Sequence, residues 1–373
     1  MQIGLLSGKC VSKQGLFDRL HAGATAFARE LLQQVLLQQS SKEFKASLFG
    51  GFGKVLLQDS TTLYLPQKLS GLFPGNYSHG EQNAVARIQS IIDIKAMKFI
   101  DLTLGSYTQN DQSASGSIME IIKKGDLVIR DLGYFALAIF KRLIAAEAHF
   151  LSRLRYGVRI YSEQGHPIAL KSLLKQNQIV DKWILIGVEH QVRVRLIMLP
   201  LSVRQTAEKI RKAKRDRDKR LNHSTEYYQW LAYNVFITTV NEEVWTAKDA
   251  ARAYHVRWQI EIIFKSWKTG FHLQGLLHEG CGNEHRVKVS IYLMLLFICL
   301  FMQKVYMRYK EDIEKNPDKR VSLVKLATFV SQNILEIFMV SHGRLKELIA
   351  QYCCYEKRYD RTNMTDFVQN FKN

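Results

Sequence analysis

The chain has 373 residues, of which 47% are hydrophobic, and it carries a formal net charge of +19 from 53 Lys and Arg against 34 Asp and Glu. This apolar content excludes disorder along the whole chain, and the length predicts two or three structural units. The excess of positive charge favours an anionic partner, nucleic acid before an acidic membrane surface, although many basic proteins only carry a solvated basic face.

The sequence argues against membrane insertion and secretion. The longest apolar run, 291–302, is shorter than the roughly 20 residues that span a bilayer, so we interpret it as a buried core helix. The N-terminus lacks the pattern of a secretory signal. The five cysteines are scattered and form no CxxC pair, which disfavours a cysteine zinc site or a disulfide framework and favours a reduced, cytoplasmic setting.

The first 55 residues have a helical pattern. Ser12 is a candidate N-cap of a short helix, and a second helix is predicted over 25–39 with an apolar face that includes Phe27, Leu32 and Leu36. Two short helices with basic residues are compatible with a DNA-binding module, but a plain helical pair is the favoured interpretation.

Strands dominate the pattern that follows. A short apolar strand, 54–58, is predicted to end on Asp59, and a second, 126–130, is predicted to end on Asp131. Between them, 84–94 and 97–104 predict two antiparallel neighbours and 115–124 a short helix. A further helix is predicted over 135–147. This order of strands and helices predicts an α/β core.

The next segment, 151–240, is rich in predicted strands, at 158–161, 183–189, 192–199 and 235–240. Between the last two lies 211–220, a run dense in Lys and Arg, for which a solvated helix face and a phosphate-binding surface are both open interpretations. Beyond it, 247–268 predicts one long helix or two joined helices, and 287–309 and 323–338 predict further helices.

Asp59 and Asp131 are the first candidates for chemistry. A carboxylate just past a buried strand lies at the rim of a sheet, where open α/β folds bind substrates. Two carboxylates on adjacent strands repel each other unless a divalent cation such as Mg²⁺ or Mn²⁺ lies between them, and two such metals about 4 Å apart cleave and join phosphodiesters. Alone, however, an Asp after a strand is more often an N-cap or a loop residue.

A third carboxylate has cationic neighbours at helical spacing. Arg257, Glu261, Lys265 and Lys268 follow one another at steps of four, four and three, which places them on one face of a helix, and Tyr254 extends this face. The alternative interpretation is an ordinary ladder of salt bridges on an exposed helix.

These residues resemble a known family. Tyr254, Arg257, Glu261 and Lys268 reproduce, without a gap, the YREK signature of bacterial insertion-sequence transposases of the DDE class. The stretch 131–135, Asp-Leu-Gly-Tyr-Phe, resembles the second block of that family, and Asp59-Ser60-Thr61 resembles the first. The resemblance covers roughly residues 50 to 310.

The resemblance implies an α/β fold with a ribonuclease H-like core. We therefore expect a helical N-terminal region at 1–50 that resembles only part of the DNA-binding region of longer relatives. The remaining expected segments are the first part of the core at 51–150, a β-rich insertion at 151–245 between the second Asp and the Glu, the remainder of the core with the YREK helix at 246–310, and a helical C-terminal region at 311–373.

The resemblance also implies a chemistry. Asp59, Asp131 and Glu261 would be catalytic and would hold Mg²⁺, for which Mn²⁺ substitutes, in nicking DNA and in the attack of a 3′-hydroxyl on target DNA. The implied contacts to DNA phosphates come from Tyr254, Arg257, Lys265 and Lys268. A homodimer would bridge the two transposon ends in the bacterial cytoplasm, associated with the nucleoid and not with a membrane. In relatives with this signature a DNA hairpin forms on the transposon end.

Two departures keep other functions open. Some relatives trap a flipped base with a Trp near the position of Val235, where this chain has none; Trp230 and Trp245 are predicted to be packing residues. The N-terminal region is also short for the family. A catalytically decayed or repurposed DNA-binding protein, and a nuclease that cuts but never joins, are the alternative interpretations.

Overall fold

The structure is a computed structural model that describes residues 12–39, 47–174, 178–188, 191–215, 224–277 and 282–356. It divides into two compact units. The first unit comprises Met1–Glu43, Ser60–Gln109 and Gln259–Thr362, and the second comprises Phe44–Asp59, Asn110–Trp258 and Asn363–Asn373.

The strands follow the predicted β-rich stretches. In chain order they are β1 Val55–Tyr64, β2 Pro74–Ser78, β3 Glu81–Asp93, β4 Lys98–Ser106, β5 Leu127–Arg130, β6 His149–Arg153, β7 Ile160–Tyr161, β8 Pro167–Ile168, β9 Val180–Ile186, β10 Val192–Pro200, β11 Tyr233–Thr238, β12 Lys319–Val321 and β13 Cys354–Glu356.

The α-helices are more numerous towards the C-terminus. In chain order they are α1 Lys13–Asp18, α2 Ala22–Gln38, α3 Leu137–Ala145, α4 Leu170–Leu173, α5 Val203–Arg215, α6 Thr225–Trp230, α7 Ala247–His255, α8 Trp258–Lys265, α9 Glu284–Leu300, α10 Met307–Ile313, α11 Leu323–Gln332, α12 Ile334–Met339 and α13 His342–Tyr352.

The second unit is built on a mixed sheet in the order β1–β5–β6–β11–β10–β9–β7–β8. The first part of β1 pairs with β5 in parallel, and β5 pairs with β6 in parallel. From β6 onwards the neighbouring strands β11, β10 and β9 are antiparallel. All four residues of β5 are buried, as expected for a central parallel strand that is covered on both faces. The strands of 151–245 therefore continue this sheet at the edge of β6.

The first unit contains the antiparallel strands β2, β3 and β4, and the second part of β1 lies beside β3. Its helix α2 packs against α9. The stretch Glu284–Ile313 is long and apolar enough to cross a membrane by length and composition, and half of its most apolar window is buried. A buried core helix passes the same test, and the packing of α9 on α2 agrees with our interpretation of 291–302.

Most predicted elements are confirmed, including the antiparallel pair β3 and β4 and the N-cap of α1, where the Ser12 hydroxyl accepts from the Gly15 amide at 3.0 Å. Two predictions are wrong in detail. The strand expected to end on Asp59 continues to Tyr64, because its second part finds a new neighbour in β3. In α2, Phe27 is 68% exposed, because the buried face of this helix is centred on Ala28 and Leu32.

Candidate active site

Asp59 and Asp131 lie side by side because of the register of two strands. The parallel pair β1 and β5 matches Gln58 with Arg130, and each aspartate is the residue that follows one member of this pair. Asp131 is the N-cap residue of the 3₁₀ turn Leu132–Tyr134, but its side chain accepts no capping hydrogen bond there. Its carboxylate is therefore not used as a helix cap, which was the simpler explanation for an Asp at this place.

Arg257 lies between the two carboxylates. Its Nη1 is 3.3 Å from Asp59 Oδ2, and its Nε is 3.6 Å from Asp131 Oδ1. The side chains of Arg257 and Asp59 are 18% and 15% exposed, and that of Asp131 is 41% exposed. Two carboxylates this close repel each other in a poorly solvated site unless a cation offsets their charge. The geometry thus provides a place for positive charge between Asp59 and Asp131.

Tyr254 contacts the same site from α7. Its buried hydroxyl donates a hydrogen bond to Asp131 Oδ1 at 3.4 Å, and its ring packs against Phe236 with the ring centroids 5.0 Å apart. The guanidinium carbons of Arg153 and Arg257 lie 5.3 and 5.8 Å from the centroid of the ring. Burial, with the nearby Asp131 charge, raises the pKa of Tyr254 to about 12, so the hydroxyl remains a donor at neutral pH.

A buried network, which we name the Arg130 clamp and define as Gln58, Arg130 and Ser115, lies directly behind the two aspartates. Arg130 donates from Nε and Nη2 to Gln58 Oε1 at 3.1 and 2.5 Å, and from Nη1 to Ser115 Oγ at 2.9 Å. It also donates to the Ser115 carbonyl. Gln58 in turn donates to the Ala114 carbonyl and to Ser117 Oγ, both at 3.2 Å. These bonds hold β1 and β5 together one residue before each carboxylate.

The Arg130 clamp is not predicted by the sequence patterns described above. The composition of 54–58 and 126–130 predicts apolar strands, although each ends in a long polar residue at the same place relative to its aspartate. That matching pair was the available signal, since a fully buried Arg requires hydrogen-bond partners. Burial lowers the pKa of Arg130 to about 10, so the guanidinium stays charged at neutral pH.

The helical segment that carries the YREK signature, 247–268, contains two joined helices, which is one of the two predicted arrangements. Helix α7 begins with a capping box between Thr246 and Asp249 and ends at His255. Arg257 lies in the turn before α8, where its amide bonds back to the Tyr254 carbonyl at 3.0 Å. The prediction of one continuous face is therefore wrong, because this turn and the π-helical turn Ser266–Gly270 interrupt the regular α-helical steps.

The second unit brings together Asp59, Asp131, Tyr254 and Arg257. The other predicted site residues belong to the first unit. Glu261 and Lys265 lie one turn apart on α8, where Glu261 is partly exposed and Lys265 is exposed, and Lys268 is exposed on the π-helical turn.

The donor chemistry of this site suits a divalent metal. Among the residues described, no group of three or more His, Cys, Asp and Glu side chains is arranged to hold a metal ion. Asp59 and Asp131 nevertheless supply hard carboxylate oxygens of the kind that Mg²⁺ prefers, and Arg257 shows that the space between them accommodates a cation. The pair therefore fits such a metal, with further ligands from elsewhere.

Comparison with known proteins gives one family. The sequence profile described as "Transposase DDE domain" matches residues 50–302. The transposase for insertion sequence element IS231F of Bacillus thuringiensis subsp. israelensis is 24% identical over 395 aligned positions, which cover 97% of this chain and 82% of that protein. The transposase for insertion sequence element IS1151 of Clostridium perfringens is 24% identical, with 86% of this chain and 72% of that protein covered.

Among solved structures, a piggyBac transposase in a synaptic complex with hairpin DNA aligns with 86% of this chain and 61% of that chain. The sequence identity is 9% and the TM-score is 0.40.

Proposed function

Because the chain belongs to the family of transposases with a DDE domain, we propose that Asp59, Asp131 and Glu261 are the carboxylates at which it cleaves and joins DNA. The chain is a DNA transposase, an enzyme of phosphodiester cleavage and strand transfer. The observation that carries the assignment of Asp59 and Asp131 is their placement around the Arg257 guanidinium. Glu261 is assigned from its place in the YREK signature, four residues after Arg257.

We propose that the α/β architecture is ribonuclease H-like. The order β4–β3–β1 in the first unit, with β1–β5–β6 parallel in the second, supports this assignment. The segment 151–245 would then be the β-rich insertion between Asp131 and Glu261, with β9, β10 and β11 as its main strands. The boundaries at 50, 150, 245 and 310 are part of the same proposal.

The family implies a divalent metal, and we propose Mg²⁺, with Mn²⁺ as a substitute, held by Asp59, Asp131 and Glu261. When bound, such a metal supplies an activated water or 3′-hydroxyl and stabilises the leaving oxygen. Other residues of the chain position the two aspartates. The Arg130 clamp fixes the strand register that sets the spacing of the two aspartates, and the Tyr254 hydroxyl orients the Asp131 carboxylate.

DNA phosphates are the proposed ligands of Tyr254, Arg257, Lys265 and Lys268. A guanidinium that already lies between carboxylates is well placed for the phosphate that reacts there, because its planar donors match phosphate oxygens as well as carboxylates. We further propose a homodimer that bridges the two transposon ends, and action on DNA in the bacterial cytoplasm in association with the nucleoid.

The test uses the DNA that flanks the gene, incubated with purified protein and Mg²⁺. We expect cleavage at the ends of the element by the wild type and by Asp318→Asn, a control that removes an exposed carboxylate of the first unit. Asp131→Asn and Glu261→Gln should still bind this DNA but cleave it at least about 10²–10³-fold more slowly.

Each alternative has its own outcome. Binding without cleavage by the wild type would identify a decayed or repurposed DNA-binding protein. Cleavage without a joined product, when target DNA is supplied, would identify a nuclease. Full activity of Asp131→Asn would overturn the assignment of the site.

A further inference from the structure

Helix α5 in the second unit carries many more cations than its packing requires. It contains one acidic residue, Glu208, which pairs with Arg204 at 3.7 Å, and six basic residues. No residue of α5 is buried. Within the part of the chain that the structure describes, the four basic residues of its C-terminal half form no ion pair: Arg211, Lys212, Lys214 and Arg215.

These four residues repel one another along the helix. Arg211 lies three and four residues before Lys214 and Arg215, and Lys212 lies three residues before Arg215, so like charges are neighbours on the helix surface. The negative end of the helix dipole offsets part of this repulsion in the last turn. Water and dissolved ions screen these exposed charges in part, and an anionic partner would offset the remaining repulsion.

The inner side of α5 is attached to the sheet through a cation. Lys209 Nζ donates to the Tyr233 carbonyl at 3.1 Å and to Asn234 Oδ1 at 3.0 Å, both on β11. Burial, and secondly the charge of Arg153, lowers the pKa of Lys209 to about 8. Arg153 is the last residue of β6 and pairs with Phe236 on β11. Lys209 and Arg153 therefore lie beside the same strand.

Arg153 extends this line of charge to the candidate active site. Its exposed side chain lies over the ring of Tyr254, whose hydroxyl donates to Asp131. Arg257 contacts the same ring and both aspartates. Cationic groups thus continue from the carboxylates to the exposed face of α5. We name this set the cationic track and define it as Arg257, Arg153, Lys209 and the four basic residues at the end of α5.

We propose that the cationic track binds the phosphate backbone of the DNA duplex whose end lies at Asp59 and Asp131, with α5 as its outer part. This inference rests on the proposed function. A duplex carries about one negative charge per 1.7 Å of its axis, and a helix of 13 residues is about 20 Å long, so several phosphates can face α5. Such contacts hold the DNA without reading its sequence.

The experiment measures how the dissociation constant of labelled flanking duplex varies with salt. The test variant replaces Arg211, Lys212, Lys214 and Arg215 by Gln, a good helix former. The matched control makes the same change of charge at four exposed cations elsewhere, Lys141, Arg142, Lys304 and Arg308. Both variants are compared with the wild type and with Asp131→Asn, on flanking DNA and on a duplex of unrelated sequence.

We expect the α5 variant to lose up to about 3.6 from the slope of log K against log salt, which corresponds to four released counterions. Its affinity should fall on both duplexes, and most at low salt. The control variant should keep the wild-type slope.

Two results would overturn the inference: a wild-type slope in the α5 variant, or an equal loss in the control variant, which would show only an effect of net charge. Neither result affects the assignment of the carboxylates, which depends on the cleavage assay with Asp131→Asn. Conversely, if Asp131→Asn cleaved DNA normally, the assignment of the carboxylates would be overturned. The change of salt slope in the α5 variant would still show that α5 binds DNA.

Discussion

Two fully buried arginines in the second unit, Arg130 and Arg195, are held in opposite ways. Arg195 on β10 forms a bidentate pair with Asp181, with both N–O distances 2.6 Å, and donates to the carbonyls of Val240 and Trp245. Arg130 on β5 is held by the neutral acceptors of Gln58 and Ser115. In the region of β9 and β10, the Asp181 carboxylate neutralises the buried Arg195.

Beside the candidate active site the carboxylates are kept apart from the buried arginine. Asp59 and Asp131 follow Gln58 and Arg130 directly, but they face Arg257, whose side chain is less deeply buried. Burial of a cation therefore does not by itself require a carboxylate. The carboxylates with a proposed chemical role are those that lie outside the buried network.

The largest expected effects come from replacing an aspartate of each kind, Asp131 at the candidate active site and Asp181 beside Arg195, by asparagine. Asp131→Asn should lower cleavage by at least about 10²–10³-fold and change the free energy of unfolding little. Asp181→Asn should leave Arg195 with only the exposed Glu242 carboxylate, 4.0 Å from its Nε. This variant should destabilise the fold by about 2–3 kcal/mol, less than the roughly 3–5 kcal/mol of a fully buried pair because Asp181 is 29% exposed.

The two measurements are the rate of cleavage at saturating DNA and the midpoint of urea unfolding. If Asp181→Asn lost cleavage per folded molecule as severely as Asp131→Asn, the distinction between the two regions would fail.

The two buried arginines should also differ in what their removal does to cleavage. Arg130→Met should destabilise the fold by about 1–3 kcal/mol, because Gln58 and Ser115 lose a donor, and should also slow cleavage by about 10–100-fold, because the spacing of the aspartates is no longer fixed. Arg195→Met is the matched control and should lower stability without a comparable loss of cleavage per folded molecule. A direct readout is the binding of Mn²⁺ by calorimetry, which should weaken in Arg130→Met and be unchanged in Arg195→Met.

Tyr254→Phe tests the contact between α7 and Asp131. Loss of the donor should slow cleavage by about 2–10-fold, which corresponds to the roughly 0.5–1.5 kcal/mol of one hydrogen bond. Because the pKa of Tyr254 is about 12, its hydroxyl stays protonated in ordinary buffers. The pH profiles of wild type and variant should therefore run parallel up to about pH 10. A step in the wild-type profile that the variant lacks would contradict this placement.

The smallest expected effect concerns Lys209, a cation held by neutral acceptors like Arg130 but partly exposed. Its pKa is lowered from 10.5 to about 8, so above that pH the unfolded chain binds more protons than the folded chain, and stability rises with pH until the unfolded value is reached. Below the pKa of Lys209 in the folded chain, its contribution to the free energy of unfolding is constant and at its least favourable. Melting temperatures from about pH 7.5 to 9.5 should rise slightly in the wild type relative to Lys209→Met, and parallel curves would refute the lowered pKa.

Sequence patterns predicted the local structure of this site better than its long-range contacts. The strand before Asp131 follows from local composition, and Trp245 is a packing residue as predicted, with its Nε1 donating to the Leu48 carbonyl at 2.9 Å. The position of the break between α7 and α8 was not predicted, because the sequence left one long helix and two joined helices both open. The Arg130 clamp and the continuation of β1 beyond Asp59 depend on residues far away in sequence, which periodicity cannot reveal. The basic run 216–220 lies outside the described residues.

The parallel register of β1 and β5 makes the spacing of the two aspartates sensitive to chain length. Side chains alternate between the two faces of a strand, so one inserted or deleted residue between Val55 and Gln58 would turn Asp59 to the opposite face and break every pairing before it. The turn at 123–126, which enters β5, has a similar constraint on length, because the buried Asp126 carboxylate accepts from the amides of Lys54 at 2.7 Å and Lys123 at 2.9 Å. We therefore expect this family of sequences to keep a fixed residue count inside the two strands and at the turn that enters β5.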